Sequence, residues 1–478
     1  MPQIYETLQS FFNPATIAFV GASEGDHSIP ARAVAQALKI GYPGKIIPIN
    51  PRRKMILSIP TYPSIEAVPG PVDLAVLLRP YQEIPDLLAG CGRKGARFAL
   101  VVSGGFAEMG QEGWHRQETL LQVARSMGIR VMGPNCMGYI NLHGKVCTTF
   151  SPIMDLPLLP GKVGLVSQSG AMGGAIMNRL QDAGVGISYF ISSGNEMDLG
   201  MVDFIEYLVR DEKTRLILVY LEGIRDGRGL LRAAEGAFVA GKPLIVLQTG
   251  ASEIGRKVTA SHTGNLAISG KVLRGALRQK GAILCRDLEE LVGTAYLLSS
   301  SPPPSGKGIG IIATSGGATG LFADWAEEMG LDLPAFSPST SRELGALLKF
   351  GTPQNPLDLT GQVAGDRPAF FRALELVLND EAIEVLLLLL TQIRGPMGQA
   401  LFQRIAAEAN KSRKPIVALS AVGTLSDDCL PILRATGRIM IFRSFGQCAR
   451  SLRSVLDYLE QRRIAGQGEI YLGKKNKE

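Results

Sequence analysis

Short β-branched and aliphatic runs alternate with longer amphipathic stretches along the chain, and this alternation narrows the fold more than any other feature. Ile17–Val20 leads through a glycine turn into the helical stretch Ala31–Ile40. Lys45–Ile49, Leu74–Leu78, Phe98–Ser103 and Val131–Met132 follow, each a helix length from the last. Parallel strands need such crossovers, so the rhythm predicts doubly wound parallel sheets. A Pro-rich segment at Ser151–Gly161 interrupts it; Lys162–Ser167, Leu216–Leu221 and Leu244–Gln248 resume it. A second break, Ser299–Gly308, holds Pro302, Pro303 and Pro304, and beyond it come Ile309–Thr314, Val385–Leu390 and Ile416–Ser420.

A chain of 478 residues exceeds one ordinary core. The two breaks divide it into α/β domains at 1–145, 158–299 and 307–462, with a polar tail at 463–478. The second and third open alike, with Val163–Gly170 and Ile309–Gly317 each reading as an apolar strand, a small hydroxyl-bearing turn and an Ala/Gly-rich helix. This looks like a duplicated domain type.

Lys and Arg number 50 against 43 Asp and Glu, a net charge of +7 that suits anionic ligands. The excess is spread along the chain, without the concentrated basic face that nucleic acid requires. The scattered cysteines show neither disulfide nor zinc spacing. No apolar run approaches the length of a membrane span, and no secretory signal is visible, so a cytoplasmic protein is expected.

Three strand-to-helix turns can hold phosphate: Gly21-Ala22-Ser23, Ser167-Gln168-Ser169-Gly170 and Ser315-Gly316-Gly317. Free backbone N–H groups and the positive end of a helix dipole meet at such turns, and small residues admit an anion closely. Each can equally be a plain tight turn. The first lacks the full GxGxxG pattern, so a nicotinamide cofactor is weakly supported. Asn50-Pro51-Arg52-Arg53 brings cations to the end of the second strand, as a nucleotide contact or a solvated loop.

His262 stands apart among four histidines, flanked by small and hydroxyl residues in Thr259–Asn265, a segment with neither helical nor strand periodicity. An imidazole there can accept a phosphoryl group, or be merely exposed. Glu222 closes the strand Leu218–Leu221, where a carboxylate can orient an imidazole or simply face solvent.

Eleven stretches occur in one order: IAFVGAS, IIPINP, VDLAVLLRP, VVSGGFAEMG, GPNCMGYIN, GLVSQSGAMG, SSGNEMDLG, VYLEGI, ASHTGNLA, IIATSGGATG and NPLDLTG. In these the chain resembles the NDP-forming acyl-CoA synthetases, relatives of succinyl-CoA synthetase. The likeness covers roughly residues 5–460. It implies an α/β architecture: a Rossmann-like CoA-binding domain followed by two flavodoxin-like parallel-sheet domains.

It further implies that His262 is phosphorylated and that Glu222 is its hydrogen-bonding partner. Ser169 and Gly170 would hold phosphate on the CoA side, and Ser315, Gly316 and Gly317 would offer a helix N-terminus near the nucleotide. Gly21, Ser23, Pro51 and Arg53 would line the CoA nucleotide, with Asn135 near its thiol arm. The implied reaction is acyl-CoA + ADP + Pi ⇌ carboxylic acid + CoA + ATP. ADP/ATP and Mg²⁺ would be held mainly by a separate ATP-grasp β subunit in a hetero-oligomer; no metal site is assigned to this chain. The stretch Ser23–Pro30 departs from the Gly-rich, Lys-containing turn usual in the family. A transferase on the same scaffold and a regulatory CoA-binding subunit are the alternatives.

Overall fold

The computed structural model describes residues 2–25, 28–250, 252–255, 270–300, 303–349, 351–359, 367–391, 393–423 and 428–466. Two compact units meet in sequence between Leu284 and Cys285.

The N-terminal unit opens with a five-stranded parallel sheet. Its strands are β1 (Thr16–Val20), β2 (Lys45–Ile49), β5 (Leu74–Leu77), β6 (Phe98–Val101) and β7 (Arg130–Met132), in the order β2-β1-β5-β6-β7. A small hairpin, β3 (Met55–Ile56) with β4 (Ile59–Pro60), lies between β2 and β5 in sequence. Val20, at the end of β1, registers with Ile49 on one side and Leu77 on the other. Strand order reverses at β1, so a crevice forms outside these three carboxyl ends. The helix Ile29–Lys39 follows the β1 turn and buries mostly alanines, whose small side chains let it lie close to the sheet.

The second sheet has the order β14-β13-β12-β10-β11-β8-β9. Its parallel members include β10 (Pro160–Ser167), β11 (Ile187–Ser192), β12 (Leu216–Leu221) and β13 (Leu244–Gln248), with β14 (Ile283–Cys285) at one edge. At the other edge β8 (Gly138–Asn141) runs antiparallel to β11, and β9 (Val146–Cys147) antiparallel to β8. β8 lies within the stretch expected to belong to the first domain. The Pro-rich break also proves to be tied down. Arg32 Nε donates to Phe150 O at 3.0 Å, Gln36 Nε2 to Ser151 O at 2.9 Å and Lys39 Nζ to Met154 O at 2.6 Å. These three residues lie on one face of the helix at i, i+4 and i+7.

An N-terminal helix, Pro2–Phe12, fastens the two sheets of this unit. Phe11 packs on Phe98 of the first sheet at 5.4 Å between ring centroids, and Phe12 on Tyr189 at 5.3 Å and Tyr207 at 4.8 Å in the second layer. Its last carbonyls are capped: Tyr139 Oη donates to Phe11 O at 2.7 Å and Asn141 Nδ2 to Phe12 O at 3.1 Å. The end that a helix leaves unsatisfied is thus closed by side chains.

The C-terminal unit is a five-stranded parallel sheet of β15 (Ile309–Ala313), β16 (Leu357–Asp358), β17 (Val385–Leu390), β18 (Ile416–Ser420) and β19 (Ile439–Phe442). Its order, β16-β15-β17-β18-β19, is flavodoxin-like. Every residue of β17 is buried, as a central strand covered on both faces requires. The helix Leu288–Ser300 packs against Phe445–Ile464 in this unit. The doubly wound α/β class expected from the sequence is therefore the observed one.

Candidate functional site

The first cleft forms at the switch point. Gly21 has φ +89°, and a Cβ there would fall 2.4 Å from Arg79 Cδ, so glycine is required both by conformation and by space. Asn50 builds the neighbouring turn. Its Nδ2 donates to Ala22 O at 2.8 Å, while its Oδ1 accepts from Arg52 N at 2.8 Å and Arg53 N at 3.1 Å. The cleft holds about 360 Å³ and is lined by Gly21, Asn50, Pro51, Arg52, Arg79 and Glu83, among others. Of the expected CoA residues, Gly21 and Pro51 line it. Ser23 and Arg53 stand outside that lining; Ser23 Oγ lies 3.3 Å from Ser28 Oγ, and Arg53 pairs with Glu24 at 2.7 Å. Arg79, which no sequence argument singled out, lies across the turn from Gly21. Its place just after β5 beside the switch point is the signal that could have found it.

Three motif loops meet next to this sheet. Asn135, at φ +56°, receives Asn195 Oδ1 as acceptor for its Nδ2 at 3.2 Å. Asn195 N in turn donates to Pro134 O at 2.9 Å, and Asn195 Nδ2 to Glu108 Oε2 at 2.5 Å. Gly194, at φ +66°, approaches so closely that a Cβ would sit 2.4 Å from Pro134 O. The turn before the helix Gly170–Asp182 abuts the same loops, since a Cβ on Gly170 would lie 2.3 Å from Met137 Sδ. Asn135 and the Ser169–Gly170 turn are therefore brought together.

Ser169 caps that helix, its Oγ accepting from Met172 N at 3.3 Å. Glu222 follows β12, the immediate neighbour of β10, with Ser167 in register with Tyr220. One side chain joins the two strand ends. Gln168 Oε1 accepts from Glu222 N at 2.7 Å and Gly223 N at 2.9 Å, and its Nε2 donates to Gly223 O at 2.9 Å. Glu222 is half-buried, and the tyrosine two residues before it has its hydroxyl pKa raised by burial and by the Glu222 charge. The Ser169–Gly170 turn and Glu222 thus stand at adjacent strand ends joined by Gln168. His262 lies outside the described residues.

In the C-terminal unit Ser315 caps the helix Gly316–Met329, accepting from Ala318 N at 3.5 Å. A Cβ on Gly316 would lie 2.8 Å from Asp358 Oδ2, so this turn carries a carboxylate that sequence reasoning did not assign. Thr314 Oγ1 accepts from Thr391 N at 2.9 Å, closing the turn against the next strand. Among the described residues no three of His, Cys, Asp or Glu gather to hold a metal ion. No described helix is long and apolar enough to cross a membrane.

A doubly wound sheet with a glycine turn at its switch point, joined to a parallel layer whose Ser169–Gly170 turn stands beside the Glu222 strand end, places the chain in the class of doubly wound α/β proteins with a cleft at the carboxyl ends of the strands. Comparison with known proteins narrows the class. Residues 15–141 match the CoA binding domain family and residues 160–298 the succinyl-CoA ligase like flavodoxin domain. The α subunit of acetate–CoA ligase [ADP-forming] II from Pyrococcus furiosus is 32% identical over 439 residues, 90% of this chain and 93% of that one. The α subunit of enzyme I from the same organism is 34% identical over 438 residues, with the same coverage. Among solved structures, the dinucleotide forming acetyl-coenzyme A synthetase 1 of Ca. Korarchaeum cryptofilum, in complex with phosphate and ADP, superposes with a TM-score of 0.86 at 30% identity, covering 96% of this chain and 97% of that one. The chain belongs to the family of ADP-forming acetate–CoA ligase α subunits.

Proposed function

We propose that the chain is the CoA-binding, phosphohistidine-carrying subunit of an ADP-forming acyl-CoA synthetase. The observation that carries this reading is the Gln168 bridge, which sets the Ser169–Gly170 turn beside Glu222 in the same unit as the Gly21 cleft. The cleft fits a CoA nucleotide. Gly21 admits a close backbone approach, and Arg52 and Arg79 supply positive charge.

Phosphate held at the Ser169 turn attacks the thioester carbonyl; a C–O bond forms, the C–S bond breaks and the thiolate takes the proton. His262 then takes the phosphoryl group from the acyl phosphate, releasing the carboxylate. Glu222 accepts a hydrogen bond from one ring nitrogen, orients the other toward phosphorus and stabilises the imidazolium. The phosphoryl group passes to ADP, held with Mg²⁺ mainly by an ATP-grasp partner, with the Ser315–Gly317 turn facing the nucleotide. Dividing the transfer lets separated sites share one activated group. The relative solved with phosphate and ADP supports such a pair of ligands. A hetero-oligomer working in the cytoplasm follows from this reading.

The test is chemical. Labelled phosphate with acetyl-CoA, or labelled ATP with Mg²⁺ and the partner, is expected to leave an acid-labile, base-stable label on the chain. His262→Ala should abolish it; label that persists would remove His262 from the mechanism.

A further inference from the structure

We propose that Glu196 is a positioning residue that, through Gln168, fixes the strand end bearing Glu222; this rests on the role given to Glu222 above. Glu196 is 8% exposed, and its backbone has φ +57°, a left-handed conformation unusual for a residue with a side chain. Its carboxylate accepts from Ser193 Oγ at 2.7 Å, from Gln168 Nε2 at 3.2 Å and from Met201 N at the start of the helix Met201–Arg210. The Arg225 guanidinium donates to the Asn195 carbonyl at 3.3 Å and to the Glu196 carbonyl, holding the loop from outside. Burial raises the pKa of the Glu196 carboxyl, and the donors around it oppose that rise.

The chemistry of the bridge explains why a carboxylate stands there. Gln168 is itself buried, and both ends of its amide are occupied: two N–H groups enter Oε1, and Nε2 gives one bond to Gly223 O and one to Glu196. A glutamine amide has two orientations of similar shape. A carboxylate only accepts, so it requires Nε2 to face position 196. The strand end makes the same demand, since Glu222 N and Gly223 N only donate and Gly223 O only accepts; Glu196 supplies the remaining bond and anchors the bridge from the opposite side. A neutral amide at position 196 has one acceptor oxygen for Ser193, Gln168 and Met201. Its amino group then faces one of these donors, and Gln168, still oriented by the strand end, loses the anchor that holds it against the Glu196 loop.

The experiment is a double-mutant cycle on the full chain, following the initial rate of labelling by phosphate and acetyl-CoA, with CoA affinity and melting temperature measured alongside. Glu196→Gln should slow labelling by about 10- to 100-fold, the range for removing an orienting partner, while CoA affinity holds. In a Glu222→Gln background the same change should cost little more, because both act through one group. Gln168→Leu, which deletes the bridge, should reproduce the Glu196→Gln loss. An equal loss in both backgrounds would make Glu196 merely structural and overturn the proposal, as would full-rate Glu196→Gln beside a slow Glu222→Gln. A full-rate Glu222→Gln would instead remove the underlying role of Glu222, and this proposal with it.

Discussion

Glu24 holds Arg53: one carboxylate oxygen accepts from the guanidinium at 2.7 Å and the other from Leu57 N at 2.9 Å. The cation expected to meet CoA thus has a partner already, from the stretch where this chain departs from its family's usual turn. Side chains 49% and 35% exposed make this a weak pair. Glu24→Gln is expected to tighten CoA binding about two- to fivefold at low salt, the scale of an exposed ion pair, and the gain should fade at high salt. Arg79 is paired as well, its Nε and Nη2 donating to Glu83 at 3.0 and 2.8 Å, but it lines the cleft and Arg53 does not; Arg79→Ala should therefore cost more than Arg53→Ala, about 1–3 kcal/mol for a charge-assisted contact. Calorimetry at two salt concentrations checks all three; a larger loss in Arg53→Ala would return Arg53 to the binding site.

Glu222→Gln keeps the shape of the side chain and removes its charge. Turnover with the partner subunit should fall by roughly 100-fold, the scale of a lost acid–base or orienting group. CoA affinity should be unchanged, because the Gly21 cleft is built from other strand ends. An unchanged rate would show Glu222 to be only a strand-end residue.

Gly170→Ala tests the meeting of the Ser169–Gly170 turn with the Asn135 loop. The added carbon would lie 2.3 Å from Met137 Sδ, and the expected cost is about 1–3 kcal/mol of overpacking. Because the obstacle is the far end of a flexible side chain, Met137→Ala in the same protein should restore part of the lost melting temperature. Absence of any recovery would mean that the glycine serves the backbone and not the packing.

Lys242 is buried, with Nζ 3.0 Å from Leu208 O and 2.6 Å from Asp211 O, closing the last turn of the helix Met201–Arg210. Burial lowers its pKa from 10.5 to about 8. A base with a lowered folded pKa contributes stability that is complete above the unfolded value and lost as pH falls through the folded one. The denaturant midpoint should therefore rise from pH 7 to pH 9.5 more in the wild type than in Lys242→Met. Parallel curves would contradict this.

The inner strands are legible in the sequence because burial on both faces makes them continuous apolar runs; Leu216–Leu221, Leu244–Gln248 and Val385–Leu390 have their expected bounds, as does the edge strand Lys45–Ile49, whose last three residues are buried. Gly138–Asn141 has four residues, glycine and asparagine among them, and its pairing with β11 and β9 makes it a strand. Ile187–Ser192 mixes serine and aromatics and escapes the same pattern. In the candidate site, the places of Ser169, Gly170 and Glu222 at strand ends are legible. Gln168 and Glu196 are not: each lies inside a recognised motif, yet their bond joins residues 28 apart in sequence. Pairings of that kind, like Arg53 with Glu24, are set by which strand ends the topology makes neighbours.

The aromatic end of the helix Pro2–Phe12 has a consequence for the order of assembly. During synthesis from the N-terminus these residues appear long before their partners, since the rings that enclose Phe12 extend to Tyr207. Alone, a segment of this length is a marginal helix in water. Until Tyr207 has left the ribosome, Phe12 has apolar surface and no complete seat. A nascent chain stopped at the Pro-rich strap would thus expose an adhesive patch, a natural handle for holding chaperones.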